Sequence, residues 1–446
     1  MKSALLITLL ISVALGQVIE ATIAVDPQPL QLLWNHQHSK VFCTCVQRGR
    51  LAVVDVATNM LERLVVVGAR PAALLYDSIT DRLLCANSYD STVMVIDANT
   101  YEIIDTLYPG LSPSGLARNL NWRRLYVVSY EADQLVIYDD TTFRLISLLP
   151  TGDGPIAVFW HPTRDKIYCL NELDCNISIF DGRNHGLLGR VGTGMLPSNM
   201  WWDPVLDQLW VSNNGTDSLT VISCSNDAVI DSVPVGIGPS YLAYHAGNRK
   251  LYVSNFGSAT VSRIDLNTRR VDHTIPVGYL PGALLVDSTN NRLYVCVEGD
   301  DVVRVIDCPT GSIVRTLETG NQPIALAWNP VQQKVYVANH LSNTLSIIKT
   351  TVDVNDNSGS FLAYLETGLR PYPNPFRSTV RLNLSSPRLT SISIRNALGK
   401  LVQVITAVGG SATWDGRDRN GKSVPAGIYF VTCEPGHYAA IVVREH

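Results

Sequence analysis

Beyond its first sixteen residues the chain has no run of about eighteen or more apolar residues, so no later segment is expected to span a membrane as a helix. It also lacks an excess of positive charge. Lys and Arg number 35 against 39 Asp and Glu, a net charge of −4. Nucleic-acid binding, which needs clustered cations, is therefore not expected. Signatures of catalysis are missing too: no HExxH, no GxSxG, no P-loop and no dinucleotide fingerprint occurs. Nine histidines are too scattered for the multi-His clusters of copper or iron sites. Nine cysteines, an odd number, do not form a disulfide framework. Most stand where sister copies of a repeat carry Val or another small residue, and they read as buried small hydrophobes.

What is present is a globular composition, 46% hydrophobic over 446 residues, long enough for large cores and more than one domain. The N-terminus has the pattern of a secretory leader over residues 1–16: Lys2, then the apolar run Ala4–Ala14, then small residues at Ala14 and Gly16. Cleavage is expected before Gln17.

Internal periodicity dominates the rest. Phe42, Leu84, Tyr126, Tyr168, Trp210, Tyr252, Tyr294 and Tyr336 follow one another at a constant spacing of about 42 residues, the period of a repeat architecture. Gly68 to Gly320 form a second series in phase with the first, each followed three residues later by proline. Asp55, Asp97, Asp139, Asp181, Asp265 and Asp307 form a third, with Ser223 and Lys349 as departures. Within one unit, SYLAYH, KLYVSN, TVSRID and RVDHTIPV are four β-patterned runs separated by turn-rich HAGNR, FGSA and LNTR. Four strands per unit of about 40–45 residues is the blade of a β-propeller.

Copies open at Pro29, Pro71, Pro113, Pro155, Pro197, Pro239, Pro281 and Pro323. The last copy loses the pattern after LSIIK, before its outer strand. VIEATIAVDPQP at 18–29 aligns in phase with SIVRTLETGNQP at 312–323. Residues 18–25 are therefore expected to close the ring as the outer strand of blade 8, which leaves no unpaired edge there. The alternative is a seven-bladed ring with one degenerate copy outside it.

These units, with LYVSN, VIDANT and VPVG-x-x-P, resemble the YVTN/YncE family of β-propeller repeats over about residues 18–349. The resemblance implies the fold and little chemistry. The family includes secreted and surface-layer proteins, and its wider superfamily includes quinoprotein-like and lactonase-like propellers.

The all-β reading continues beyond the propeller (17–349) and a polar linker (350–370). From 371 to 446, seven or so short strands in about 75 residues point to an immunoglobulin-like sandwich. Asn374-Pro375-Phe376, Leu398-Gly399-Lys400, Trp414-Asp415-Gly416 and Pro425-Ala426-Gly427-Ile428-Tyr429 resemble the type A sorting domain of the type IX secretion system. More distantly, they resemble the Ig-like domain of flagellar hook-capping proteins. The first resemblance implies the secretion machinery as a partner and a secreted or cell-surface product. The alternative is an Ig-like module that stays attached.

Periodic polar residues read as structural, because a side chain needed once for chemistry would not be copied into every blade. This applies to the Asp series and to Asn87, Asn171, Asn213, Asn255 and Asn339, expected to tie turns. Trp34, Tyr76, Trp160, Trp202, Tyr244 and Trp328 share one phase and are expected to pack between blades. His36, His38, Cys43 and Cys45 do not read as one metal site. His38 and Cys43 lie on the order of 16 Å apart along an extended strand.

Function is sought where copies differ. The D–A and B–C loops share one face, around the channel mouth. That face collects Asp90, Glu131, Asp133, Asp153, Glu172, Asp174, Asp217, Glu298, Asp300 and Asp301 against only Arg48, Arg50 and Arg70. An acidic mouth suits a cation or a basic partner, with Tyr89, Tyr130, Phe256 and Tyr279 as aromatic contacts. A protein, glycan or cation is the ligand class expected. Ca²⁺ is the one cofactor considered, at Glu298-Gly299-Asp300-Asp301, which lacks a defined loop motif. The expected role is a non-enzymatic binding or scaffolding module. The alternative is a lactonase- or lyase-type enzyme at the mouth, where His340 is the only histidine in those loops. A quinoprotein-like role would call for a cofactor-stacking Trp at the mouth, and the tryptophans fall in strand A instead.

Overall fold

The computed structural model describes residues 17–350, 369–372, 376–384, 391–396, 400–408, 411–434 and 438–444. The expected leader (1–16), most of the linker, and Asn374, Pro375 and Gly399 of the C-terminal motif lie outside the described residues. The chain divides into two compact units, Met1–Val352 and Asp353–His446.

In the first unit every repeat folds into one four-stranded antiparallel sheet, and eight such sheets form. Blade 1 is built from strand A (Pro29–Asn35), B (Lys40–Cys45), C (Arg50–Asp55) and D (Met60–Val66). The B and C strands are buried on successive residues, most of them apolar, because both their faces are covered by neighbouring blades. The D strand is mostly exposed or half-buried because it is the outer edge, and only Val65 near its end is buried. The A strands form a closed ring: each comes within 8 Å of the next at Cα, and Pro323–Asn329 returns to Pro29–Asn35.

The ring is closed as the phase alignment requires. Val18–Ala24 pairs antiparallel with Thr344–Lys349, from Val18 opposite Lys349 to Ala24 opposite Thr344. Blade 8 thus takes three strands from residues 323–349 and its outer strand from the N-terminus. The propeller has eight blades, and the seven-bladed alternative falls away.

Cores lie between blades. Phe42, Leu51, Val53 and Val65 of blade 1 pack with Leu83, Cys85 and Ile96 of blade 2. The series at the third residue of strand B, aromatic except for Leu84, is buried throughout, from Phe42 to Tyr336. Ile23 joins Val41, Ala52 and Val54 to Tyr336, Leu345 and Ile347, so the closing strand completes the core between blades 8 and 1.

Turn chemistry explains the periodic polar residues. Asp55 Oδ1 accepts the backbone N–H groups of Ala57 and Thr58 at 3.0 and 2.8 Å, and Asp97, Asp139, Asp181 and Asp265 repeat the motif. Asn255 Nδ2 donates to Thr260 and Ser262 at 3.0 and 2.9 Å, and Asn171, Asn213 and Asn339 bridge their hairpins the same way. The strand-A aromatics pack on the inter-blade cores and also tie their own turns. Trp160 Nε1 donates to Asp165 at 2.9 Å and Trp202 Nε1 to Asp207 at 3.3 Å.

The second unit contains seven described strands in two sheets. One sheet holds Leu369–Tyr372, Val380–Leu384 and Ser411–Trp414; its first strand begins within the residues assigned above to the linker. The other runs in the order Leu401–Thr406, Ser391–Asn396, Gly427–Glu434, Tyr438–Arg444. Phe376, Trp414 and Tyr429 pack at tilted and edge-on angles in the core of this unit, with ring centroids 5.4 and 5.0 Å apart. Tyr429 donates to the Pro425 carbonyl at 2.7 Å, and Trp414 Nε1 to the Arg417 carbonyl at 2.8 Å. Asp415 accepts the Arg417 N–H at 3.1 Å, and Gly416 adopts φ 71° in the turn. The described residues of the C-terminal motif therefore have structural work in the sandwich itself.

Candidate functional site

At the channel mouth one backbone scaffold is repeated eight times. The first residue of each B–C loop donates its N–H to the carbonyl of the residue preceding the blade-opening proline, at 2.8 to 3.0 Å. The acceptors, Gln28, Arg70, Ser112, Gly154, Leu196, Gly238, Leu280 and Gln322, all sit at positive φ, although only two are glycine. The donors are Val46, Ser88, Tyr130, Glu172, Asn214, Phe256, Glu298 and His340. Here the backbone is identical in every blade and the side chain is almost never repeated.

The expected acidic residues separate into two kinds. Asp133, Asp217 and Asp301 accept the N–H groups of Gly154, Gly238 and Gln322 at 2.8, 2.9 and 2.7 Å. Asn343 makes the same bond to Gln28 at 3.0 Å without a charge. Asp90 and Asp300 accept from Ala69 and Tyr279, while Ser258 and Ser342 do so from Ile237 and Asn321 in sister blades. Asp174 occupies the Asp90 position beside Gly152. The task at these positions is hydrogen-bond acceptance, and charge is incidental to it. Glu131 and Asp153 are exposed on the loops.

Glu172 and Glu298 are different, because they stand on the variable ring. Glu172 accepts from Tyr130 Oη of the preceding blade at 3.1 Å. Burial and this bond hold the Tyr130 phenol pKa above its usual value. Glu298 has one weak partner, Gln322 Nε2 at 3.5 Å, and burial raises its carboxyl pKa. Its side chain occupies the space over Gly282, where a Cβ would come 2.3 Å from Oε1. Tyr241, on strand A of blade 6, is 41% exposed, and desolvation of its hydroxyl followed by the nearby Glu298 charge raises its phenol pKa. His340 Nδ1 lies 3.0 Å from the Pro29 carbonyl, so Nδ1 carries a proton and donates it there.

Local cations do little to neutralise this ring. Arg48 and Arg50 are turned to the buried Asp26, at 3.3 and 3.7 Å, and Arg70 lies over the Tyr89 ring with Nη1 on its hydroxyl at 2.9 Å. Of the expected aromatic contacts, Tyr89, Phe256 and Tyr279 are exposed. The sequence reading missed Tyr241, Gly282, Gln322 and Asp26. Aligning the copies at the residue after the periodic Asn87, Asn171, Asn213, Asn255 and Asn339 would have revealed the variable ring.

A second constellation lies on the A–B side. Single ligand atoms of His161, Asp207 and Cys224 all lie within 4.8 Å of one another. His161 Nδ1 accepts the Arg164 N–H at 3.2 Å, so Nε2 carries the proton and donates to Asp207 at 2.7 Å. A metal on Nε2 would force a protonated Nδ1 against that N–H, contrary to how ligating imidazoles are supported. Asp207 is further occupied by Arg164 and Trp202. Burial raises the Cys224 thiol to about 12. His245 and Asn291 repeat the pairing two blades later at 3.0 Å, which marks it as a tie between blades. Elsewhere, His38 Nε2 bonds Asp81 at 2.7 Å, while Cys43 and Cys45 are wholly buried in strand B.

The YNCE-like beta-propeller family matches residues 11–296. The chain belongs to that family. The match ends within blade 7 of this YNCE-like propeller, so blade 8 and its closure rest on the strand pairing described above. The FlgD Ig-like domain family matches residues 375–435 of the second unit. No curated protein matches the chain in sequence. Among solved structures, the hydrazine synthase of Kuenenia stuttgartiensis is similar at 18% identity and TM-score 0.51, over 64% of this chain and 96% of that one. The dihydro-heme d1 dehydrogenase NirN, in complex with DHE, is similar at 12% identity and TM-score 0.61, over 89% of this chain and 80% of that one. At these identities the likeness is one of fold alone.

Proposed function

We propose that this YNCE-like propeller is an exported, non-enzymatic binding module that takes a basic partner at its channel mouth. The observation that carries the reading is the variable ring. Eight identical backbone bonds hold side chains that differ from blade to blade, among them Glu172 and Glu298. Two carboxylates beside Tyr130 and Phe256, with Arg48 and Arg50 already paired to Asp26, favour Lys or Arg side chains. The leader-like residues 1–16 and the C-terminal motif series support delivery to the cell surface, with the Ig-like domain acting as a type IX sorting signal.

Titration with a fluorescein-labelled peptide of alternating Lys and Gly, read by anisotropy, tests the binding. At about 0.7 kcal/mol for each partly screened charge pair, replacing both carboxylates by Gln weakens binding about tenfold. No binding, or equal binding by the Glu172→Gln/Glu298→Gln variant, counts against the proposal. Intact mass measured on fractions of the native cells tests the export: loss of residues 1–16 and of the last 75 or so is expected, and a full-length intracellular product contradicts it.

A second reading has its own observation. Glu298, with its raised pKa, and His340, whose Nε2 has no partner among the described residues, stand on neighbouring blades of the ring, as an acid–base pair of a lactonase- or lyase-type enzyme would. Hydrolysis of a panel of lactones that is lost in both Glu298→Gln and His340→Gln would favour it over the binding role.

A further inference from the structure

The outer strands vary as informatively as the mouth. Each D strand carries a β-bulge near its start, and the bulged residue occupies the same scaffold position in every blade. In blades 1, 6 and 8 it is acidic and paired with the lysine that opens strand B: Lys40 with Glu62 at 2.5 Å, Lys250 with Asp272 at 2.6 Å, Lys334 with Glu20 at 2.8 Å. Such inward charge pairs protect a sheet edge from other chains. In blades 2 to 5 the same position holds Ile104, Ile146, Leu188 and Ile230, 46%, 39%, 51% and 38% exposed, but the outer strands of blades 2 and 5 also carry Asp105 and Asp231, whereas those of blades 3 and 4 carry no carboxylate. Leu145, Leu148 and Leu187 add exposures of 60%, 55% and 54% on the same two strands. The strand Leu145–Pro150 (LISLLP) carries no charge at all.

The neighbouring strand Leu187–Gly192 (LLGRVG) contains two glycines, Gly189 and Gly192, with negative or extended backbone. No atom of the described residues lies within 4 Å of where a Cβ would stand on either, so no described neighbour requires them. Glycine within a strand is costly unless another backbone approaches closely.

We infer that the outer strands of blades 3 and 4 form a two-fold interface with a second copy of this chain. The five apolar side chains expose roughly 450 Å², which at about 57–65% apolar content corresponds to about 690–790 Å² per partner, just under the roughly 800 Å² of a standard interface. A surface without a carboxylate offers nothing to a basic peptide, and its one arginine, Arg190, donates to the Thr151 carbonyl and Ser178. Its own copy presents the same apolar residues in return, the self-complementarity a two-fold contact needs. The bare backbone at Gly189 and Gly192 lets the partner strand approach. This inference stands independently of what the mouth binds.

Sedimentation equilibrium of the full chain at about 50 µM, above the micromolar Kd at the weak end for interfaces of this size, reads the association. The wild-type chain is expected at twice the mass of one chain. Ile146→Glu combined with Leu188→Glu is expected at the mass of one chain with an unchanged unfolding midpoint, because Glu20 and Glu62 occupy that position in other blades and Arg124 and Lys166 open the two B strands. Val314→Glu, the same position in blade 7, is expected to remain dimeric. A wild-type monomer, or a double variant that still dimerises, overturns the inference. Lost association in Val314→Glu as well overturns it too, since the effect would then not belong to blades 3 and 4.

Discussion

Closure by the N-terminal strand can be tested through Ile23. Its side chain is 7% exposed and packs into the core that joins blade 8 to blade 1. Ile23→Ala removes three carbons, about 2.4 kcal/mol of transfer free energy at about 0.8 kcal/mol each. The residual cavity brings the expected loss to about 3 kcal/mol, within the range for Ile→Ala in a core. Thr22, exposed on the same strand opposite Ser346, supplies the control, and Thr22→Ala should stay within about 0.5 kcal/mol. With a urea m-value of about 3 kcal/mol/M, the propeller transition of Ile23→Ala should shift by about 1 M. Equal midpoints for the two variants would refute closure by residues 18–24, since a strand that does not seal the ring has no core to lose.

Three further outcomes follow from individual side chains. Arg118 is buried between Asp77 and Asp140, with Nε 3.0 Å from Asp140 Oδ1, so Arg118→Met strands two carboxylates and should cost about 3–5 kcal/mol in chemical denaturation. Asp301→Asn keeps the acceptor for the Gln322 N–H, as Asn343 does for Gln28, and should leave thermal stability unchanged, whereas Asp301→Ala should lose about 1 kcal/mol. Burial raises the Glu298 pKa, so the folded state holds this proton more tightly than the unfolded chain, and stability falls as pH rises from the usual carboxylate range through the raised value. Glu298→Gln escapes that loss: its melting temperature should match wild type at pH 4 and exceed it at pH 8, and a lower value at pH 8 would refute the burial argument.

The blades were legible because every constraint on them is periodic. Strand B needs an apolar residue at Phe42 and at Tyr336 for the same reason, so the pattern declares itself, and the missing outer strand of blade 8 could be assigned to residues 18–25 by phase alone. The mouth was legible only in part. Asp217 and Glu172 look alike among the loop acids, but Asp217 shares its phase with Asn343 and ties a backbone N–H, whereas Glu172 shares its phase with Phe256 and His340. What isolates Glu298 is the glycine at 282, brought to it by the pairing of strands A and B within blade 7, and Gln322, 24 positions away, whose proximity depends on how blades 7 and 8 meet. The two edge glycines of blade 4 carried no periodic signal, since their meaning depends on what does not pack against them.

The central claim is that function resides where the repeated backbone carries unrepeated side chains. Hydrogen–deuterium exchange of the full chain with and without the Lys–Gly peptide tests it most directly. The account predicts slowed exchange confined to the B–C and D–A loops around Tyr130, Glu172, Phe256 and Glu298, with the A–B turns unchanged. Protection on the A–B turns, or none anywhere at saturating peptide, would contradict it.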